Sequence, residues 1–325
     1  VTSWLVTGGA GYIGAHVVRA LQTEGEQVVV IDDLSTGENG RIGDATFVHG
    51  SVLDEALVRR AITDNDVIGI VHVAAKKQVG ESVANPLLYY RENVGGLTSL
   101  LRAAVDNDVK SFVFSSSSAT YGLPDTETVT EDAPTRPLSP YGESKLVGEW
   151  LARDVAAVTD LRVTSLRYFN VAGAASPDLG DPGVFNLIPL VFQALSAGES
   201  PQVFGADYAT PDGTCIRDYV HVADVADAHV AALRHLADGG ASATYNIGRG
   251  EGTSVLDVME MVAEVAGMPV EPVIADRRTG DPARIVAAVD RIRADLGWTA
   301  KFDLRDMVTS AWSGWIARHG EPGPR

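Results

Sequence analysis

Cysteine is almost missing from this chain. Cys215 stands alone, which rules out an intramolecular disulfide and fits a reducing compartment. No set of cysteines and histidines has zinc-ligand spacing, and His16, His49, His229, His235 and His319 form no cluster, so no metal is expected. His72 and His221 are expected in core or capping roles. Basic residues are scarce too: 26 lysines and arginines face 43 acidic residues, a formal net charge of −17. Such a surface repels nucleic acid and anionic membranes, and an anionic substrate would need a locally basic pocket. No uncharged apolar run approaches the ~20 residues that cross a bilayer. The chain opens on an apolar strand without a basic or signal-type segment, and a cytoplasmic location is expected.

What is present is a regular alternation of two periods. Within 325 residues, 45% of them hydrophobic and 21% charged, apolar periods recur up to the Gly/Pro-rich end at 320–325. Strand-like runs lie at residues 4–7, 27–32, 46–49, 68–73 and 112–115. Helical stretches at 12–23, 55–61 and 86–105 separate several of them. This alternation predicts an α/β protein with a Rossmann-type doubly wound parallel sheet. A helix over 141–158 precedes a further strand at 162–168. After residue 169 the pattern loosens into loops at 172–183 and 205–213. Helices follow at 188–197, 222–236, 255–266 and 304–316, with strands at 216–220, 243–247 and 271–274. We read a nucleotide domain over residues 1–170, with return segments from about 216–250, and a smaller C-terminal α/β substrate lobe over 171–325.

The first strand runs into Thr7-Gly8-Gly9-Ala10-Gly11-Tyr12-Ile13-Gly14. Gly8, Gly11 and Gly14 give a G-x-x-G-x-x-G spacing, and Gly9, Gly11 and Gly14 also satisfy G-x-G-x-x-G. Glycine lets the backbone turn tightly and approach a pyrophosphate, which then meets the free N–H groups of the following helix. A plain tight turn would give the same letters, but not at the end of strand 1 and the start of a helix. Asp32 closes the second strand 18 residues after Gly14, where an acid accepts from adenosine ribose hydroxyls. Asp32 and Asp33 would repel the 2′-phosphate of NADP, so the expected cofactor is NAD.

Ser139-Pro140-Tyr141-Gly142-Glu143-Ser144-Lys145 reads as a helix start, with Ser139 as cap and Pro140 at the first position. Tyr141 and Lys145 are four apart and share one face. An ammonium beside a phenol lowers its pKa and makes it a general base. The spacing alone is common in ordinary amphipathic helices. Downstream of a dinucleotide turn and of Ser115-Ser116-Ser117-Ser118 at a strand end, the catalytic reading prevails.

These segments resemble the extended short-chain dehydrogenase/reductase family, and within it the UDP-sugar epimerases, over essentially the whole chain. The resemblance rests on the glycine turn, Lys77-Gln-Val-Gly-Glu-Ser82, Phe114-Ser-Ser-Ser117 and the Tyr141–Lys145 segment. It continues through Arg167-Tyr-Phe-Asn170, Asp212-Gly-Thr-Cys-Ile-Arg-Asp-Tyr219 and Arg277-Arg-Thr-Gly-Asp281. It implies redox-neutral inversion at C4 of a UDP-hexose through a transient 4-keto sugar. Tyr141 would exchange the proton, Lys145 would hold the cofactor ribose and depress the phenol pKa, and Ser117 would bond the reacting oxygen. It implies NAD contacts at Gly8, Gly11, Tyr12, Ile13, Gly14, Asp32, Ser51, Val52, Lys77, Asn93, Tyr141, Lys145 and Tyr168. It implies UDP-sugar contacts at Ser117, Asn170, Asn186, Leu187, Phe204, Arg217, Tyr219, Arg278, Asp281 and Ile285.

The guanidinium groups of Arg217 and Arg278 suit a diphosphate in an otherwise acidic protein. Ser51 departs from the family's usual aspartate at the adenine, and Cys215 from a small residue. The intermediate bulk of Ile285 leaves N-acetylated UDP-hexoses open as substrates. A nucleotide-sugar 4,6-dehydratase is the nearest rival, but Ser117 is followed by Ser118 and Ala119, with no acid until Asp125. A non-catalytic NAD(H) sensor would not need Tyr141 and Lys145 on one helix face. A homodimer is expected from the resemblance and from the two long helices at 86–105 and 141–158.

Overall fold

Trp4, Leu5 and Val6 are all buried because the strand that carries them is covered on both faces. In the computed structural model, which describes residues 2–278 and 280–322, Trp4 and Val6 join one core cluster and Leu5 the other. The first strands are β1 (Ser3–Thr7), β2 (Gln27–Asp32), β3 (Thr46–His49), β4 (Val67–His72) and β5 (Ser111–Ser117). They are followed by β6 (Thr128–Val129), β7 (Arg162–Tyr168), β8 (Asn170–Ala172), β9 (Gln202–Phe204) and β10 (Ile216–His221). The last are β11 (Ala243–Ile247), β12 (Gly252–Ser254), β13 (Val273–Ala275) and β14 (Arg284–Ala287).

The helices begin with α1 (Tyr12–Thr23), α2 (Glu55–Asp64), α3 (Val79–Ala84), α4 (Pro86–Tyr89), α5 (Gly96–Asp106) and α6 (Pro140–Ala156). They end with α7 (Leu187–Ala197), α8 (Val222–Ala237), α9 (Val255–Ala266), α10 (Asp290–Leu296) and α11 (Leu304–His319).

Seven parallel strands form the main sheet in the order β11-β7-β5-β4-β1-β2-β3. Val17, Leu21, Val225 and Leu233, from α1 and α8, cover one face; Val58, Leu97, Leu100 and Ala152, from α2, α5 and α6, cover the other. The chain leaves β1 toward β2 on one side and returns at β4 on the other. This reversal opens a crevice at the carboxyl ends, where Thr7 pairs with His72. The expected doubly wound sheet is therefore present, and its seventh strand, β11, comes from the C-terminal half of the chain.

A second sheet runs β12-β10-β14-β6, with β8 beside β10, and β9 and β13 make a separate parallel pair. A third core built on Phe192, Met259, Met307 and Trp315 packs α7, α9 and α11 together.

Two differences from the expected elements bear on function. β5 runs on to Ser117, so Ser116 and Ser117 are strand residues rather than turn residues. The helix expected over 86–105 is broken into α4, a π-helical stretch Tyr90–Gly95 and α5. The wider π turn carries Asn93 onto the segment after β4, where its side chain bonds the backbone of Lys76. Of the terminal Gly/Pro-rich segment and the Arg277–Asp281 motif, residues 323–325 and Thr279 lie outside the described residues.

Candidate active site

The glycine turn is fixed by steric contact with its surroundings. Gly8 has φ +71°, and a Cβ there would stand 2.7 Å from the amide nitrogen of Ala74. A Cβ on Gly14 would stand 2.0 Å from the carbonyl oxygen of Gly8. Gly11 is the N-cap of α1 and offers no side chain to its first N–H groups, which remain available to an anion. Asp32 is buried and shapes this turn: its carboxylate accepts from Ala10 N at 3.0 Å and Leu34 N at 2.8 Å. Burial raises its pKa, and those two N–H groups oppose the rise. Each oxygen keeps a lone pair for a ribose hydroxyl. Ser51 accepts from Leu53 N at 3.2 Å, and Val52 is buried beside Gly96.

A cavity of about 320 Å³ opens at the carboxyl edge of the sheet. Tyr12, Ile13 and Lys77 line it from the glycine-turn side, and Ser117, Tyr141 and Tyr168 from the sheet and α6. Asn170, Asn186, Leu187 and Tyr219 close it from the C-terminal side. The Tyr12 hydroxyl donates to Gly173 O at 2.5 Å, and the Lys77 ammonium stands 6.0 Å from the centre of the Tyr12 ring. Asn93 lies behind the cavity wall, donating to Lys76 O at 3.0 Å and to the Ser144 hydroxyl at 2.9 Å.

Ser139 caps α6 by accepting from Gly142 N, which sets Tyr141 in the first turn beside the end of β5. Burial raises the Tyr141 phenol above its ordinary pKa; hydrogen bonding with Ser117 works against the rise. The Ser117 hydroxyl also accepts from Ala119 N at 3.1 Å. Lys145 is buried, and its ammonium donates to Ser115 O at 2.8 Å. Burial lowers its pKa to about 8, with the Glu149 carboxylate opposing the fall. Against the expectation that Lys145 depresses the Tyr141 pKa stands a larger influence: desolvation dominates the phenol, and Lys145 points at a backbone carbonyl. Burial likewise raises Tyr168.

The remaining expected contacts form a second group along β10, β14 and the residues around β9. Arg217 is ion-paired with Asp281 and donates to Ile216 O at 2.7 Å. The Arg278 guanidinium lies 3.9 Å from the centre of the Phe204 ring. The expected pair of arginines is present, with Arg217 held by a carboxylate. Ile285 is 7% exposed and packs with Tyr121, Val129, Phe169 and Ala287, so it belongs to a small core rather than to the cavity lining. β10 joins the two groups, since it carries both Arg217 and Tyr219.

Sequence reading passed over Asp181, Phe192 and Trp315, which also line the cavity. They come from a loop and from helix faces that look like ordinary core, and no spacing links them to the motifs. Glu149 was passed over as well, although it lies four residues beyond Lys145 on the same face.

A parallel sheet with a glycine turn at its switch point, and a tyrosine and lysine at its serine-rich edge, defines a dinucleotide-dependent enzyme. The chain belongs to the NAD dependent epimerase/dehydratase family, whose sequence pattern matches residues 4–248. It is 45% identical to UDP-glucose 4-epimerase of Azospirillum brasilense, over 98% of this chain and 95% of that protein. The crystal structure of UDP-glucose 4-epimerase from Brucella ovis in complex with NAD superposes with a TM-score of 0.93, at 38% identity over 100% of both chains. That of the Bifidobacterium longum enzyme in complex with NAD+ and UDP gives 0.91, at 37% identity over 99% of this chain and 100% of that chain.

Proposed function

We propose that this chain is an NAD-dependent epimerase that interconverts UDP-glucose and UDP-galactose by inverting C4. The observation that carries this reading is one cavity lined by Tyr141, Ser117, the start of α1 and the asparagines of the C-terminal side. The donor set fits NAD: an uncapped helix N-terminus suits its pyrophosphate and a buried Asp32 its ribose. Gly8 and Gly14 leave no room for side chains in the turn beneath. Bound there, NAD would supply reversible hydride transfer at C4. The Tyr141 tyrosinate would accept the 4-hydroxyl proton, becoming the phenol, and return it to the keto oxygen after the sugar turns, so that hydride and proton both come back and the reaction is redox-neutral.

Ser117 bonds the reacting oxygen, and the Lys145 ammonium holds the cofactor ribose. Asn170, Asn186 and Leu187, with Phe204, Arg217, Tyr219, Arg278 and Asp281, hold the UDP moiety while the 4-keto sugar turns over. On this reading residues 1–170, with the returning α8 and β11, hold NAD, and most of 171–325 holds the nucleotide sugar.

Purified protein given UDP-galactose without added NAD is expected to yield UDP-glucose on chromatography. No conversion even with NAD supplied would overturn the assignment to this substrate pair. Tyr141→Phe is expected to lower turnover by roughly 10²- to 10⁴-fold while the protein keeps its NAD. An unchanged rate would instead favour an NAD(H) sensor.

A cytoplasmic location and a homodimer belong to the same proposal. The absence of a long apolar helix among the described residues is compatible with the first. The exposed Val83, Leu87, Tyr90 and Trp150, on α3, α4, the π stretch and α6, support the second. A sedimentation mass equal to one 34.3 kDa chain at micromolar concentration would sink the dimer.

A further inference from the structure

Tyr141, Lys145 and Glu149 recur every four residues and so share one face of α6. That face meets three successive serines of β5. Lys145 donates to Ser115 O, the Ser116 hydroxyl donates to Glu149 Oε1 at 2.5 Å, and Tyr141 faces Ser117. Glu149 is only 7% exposed. Arg167, the register partner of Ser116 on β7, donates from Nε and Nη2 to its two oxygens at 2.8 and 2.6 Å. The remaining Nη1 donates to the Tyr121 hydroxyl at 2.9 Å and to Glu131 O at 3.1 Å.

Such a pair explains stability poorly. Desolvating two charges offsets most of their attraction, and apolar residues of equal volume often serve as well or better. Its position beside Lys145 suggests another role. The groups that act on Lys145 are Glu149 from α6, His72 from β4, and the Phe114 ring at 5.2 Å from β5, with Tyr141 one turn earlier on α6. Tyr168 on β7 faces Tyr141, and His229 on α8 bonds the Ser115 hydroxyl at 2.9 Å. Burial pulls His72 to about 3 and His229 to about 4, so both imidazoles are neutral at working pH. Glu149 is left as the carboxylate that can offset the desolvation of the lysine.

We propose that Glu149 is a positioning residue of the active site, whose charge keeps the buried Lys145 protonated beside Tyr141 and Ser117. Its importance for turnover rests on the function proposed above; its effect on Lys145 does not. Glu149→Gln preserves volume and removes the charge. The chain has five lysines, so lysine labelled at Cε gives few NMR signals, and Lys145→Arg assigns the one that matters.

In Glu149→Gln the Lys145 titration is expected to fall by about one pH unit. Turnover at alkaline pH should fall several-fold while KM and bound NAD hold. Glu149→Asp, which keeps the charge, should restore the titration, and Ser116→Ala should leave it in place. A Lys145 midpoint in Glu149→Gln equal to the parent's would overturn the proposal, whatever the melting temperature. If that variant does not fold, the double variant Glu149→Gln with Arg167→Gln is compared with Arg167→Gln alone, and equal Lys145 midpoints in the two would overturn the proposal. A parent inactive on UDP-sugars would sink the proposed function and leave this titration readable.

Discussion

At the glycine turn the requirements fall on the backbone; in the second group, along β10 and around β9, they fall on pairs of side chains. Gly8 and Gly14 are needed because other backbone atoms occupy the space a side chain would take. Arg217 with Asp281, and Arg278 with Phe204, work through a salt link and a ring contact that can weaken by degrees. A wall made of close backbone approach tolerates a change or fails. A wall made of side-chain contacts gives graded losses, which suits the part of a site that selects its substrate.

Acid should break the first side most severely. His16 and His72 lie at the glycine turn and the switch point, and His229 lies under the main sheet. His221 caps α8 and bonds Ser310 of α11. Burial lowers His16, His221 and His229 to about 4 and His72 to about 3. Their folded pKa values lie below the unfolded value, so the unfolded chain takes up protons first. Stability is therefore lost as pH falls below about 6.5 and goes on falling toward 4, by on the order of 3 kcal/mol for each imidazole at pH 4.

Asp218 opposes this, since burial raises it to about 6 and protonation relieves it over part of the same range. Burial also raises Asp32 and Asp224, which act in the same direction, but three carboxyls do not offset four imidazoles against a total stability of about 5–15 kcal/mol. Thermal unfolding is expected to show a steep drop in Tm between pH 6 and 4. A flat Tm over that window would mean that the imidazoles are charged in the folded chain.

Gly14→Ala is the next largest effect. Its methyl group would meet the Gly8 carbonyl, a backbone atom that cannot swing away. A loss of about 3 kcal/mol and of most copurifying NAD is expected. Gly40→Ala, where a Cβ would meet nothing within 4 Å, should change neither. Equal behaviour of the two variants, by calorimetry and NAD assay, would remove the steric basis of the comparison.

The same contrast explains what could be read from the sequence. Glycines, strand ends and i,i+4 pairs are local, so the turn, Asp32, Ser117, Tyr141 and Lys145 could be found by spacing. The cavity lining from Asn186, Asp181 and Trp315 depends on a loop and two helices meeting across the fold, and no period records that. Asn186, Arg217 and Ile285 were reached by family resemblance; Ile285 is the register partner of Arg217 on β14, with its side chain in a small core. The sign of the Tyr141 shift was out of reach for a related reason. Spacing shows which charge is near a phenol, but burial is set by every element around it.

On the C-terminal side, Arg217→Ala should raise KM for the UDP-sugar by about 10- to 100-fold, the worth of a charge-assisted hydrogen bond. Bound NAD should be unchanged, and steady-state kinetics with an NAD assay would separate the two. A loss of NAD instead would place Arg217 in the cofactor wall.

The smallest effect is expected at Phe204, which touches Arg278 through its ring. Arg278 is exposed, so water competes for the cation and the contact is worth about 0.5–1 kcal/mol. Phe204→Leu keeps an apolar side chain and removes the ring, which lets the guanidinium wander. KM is then expected to rise roughly two- to five-fold, with turnover and NAD content held. A rise as large as that of Arg217→Ala would mean that the ring itself meets the nucleotide. No rise at all would mean that Arg278 is held by its backbone, and the graded character of this wall would then rest on Arg217 and Asp281 alone.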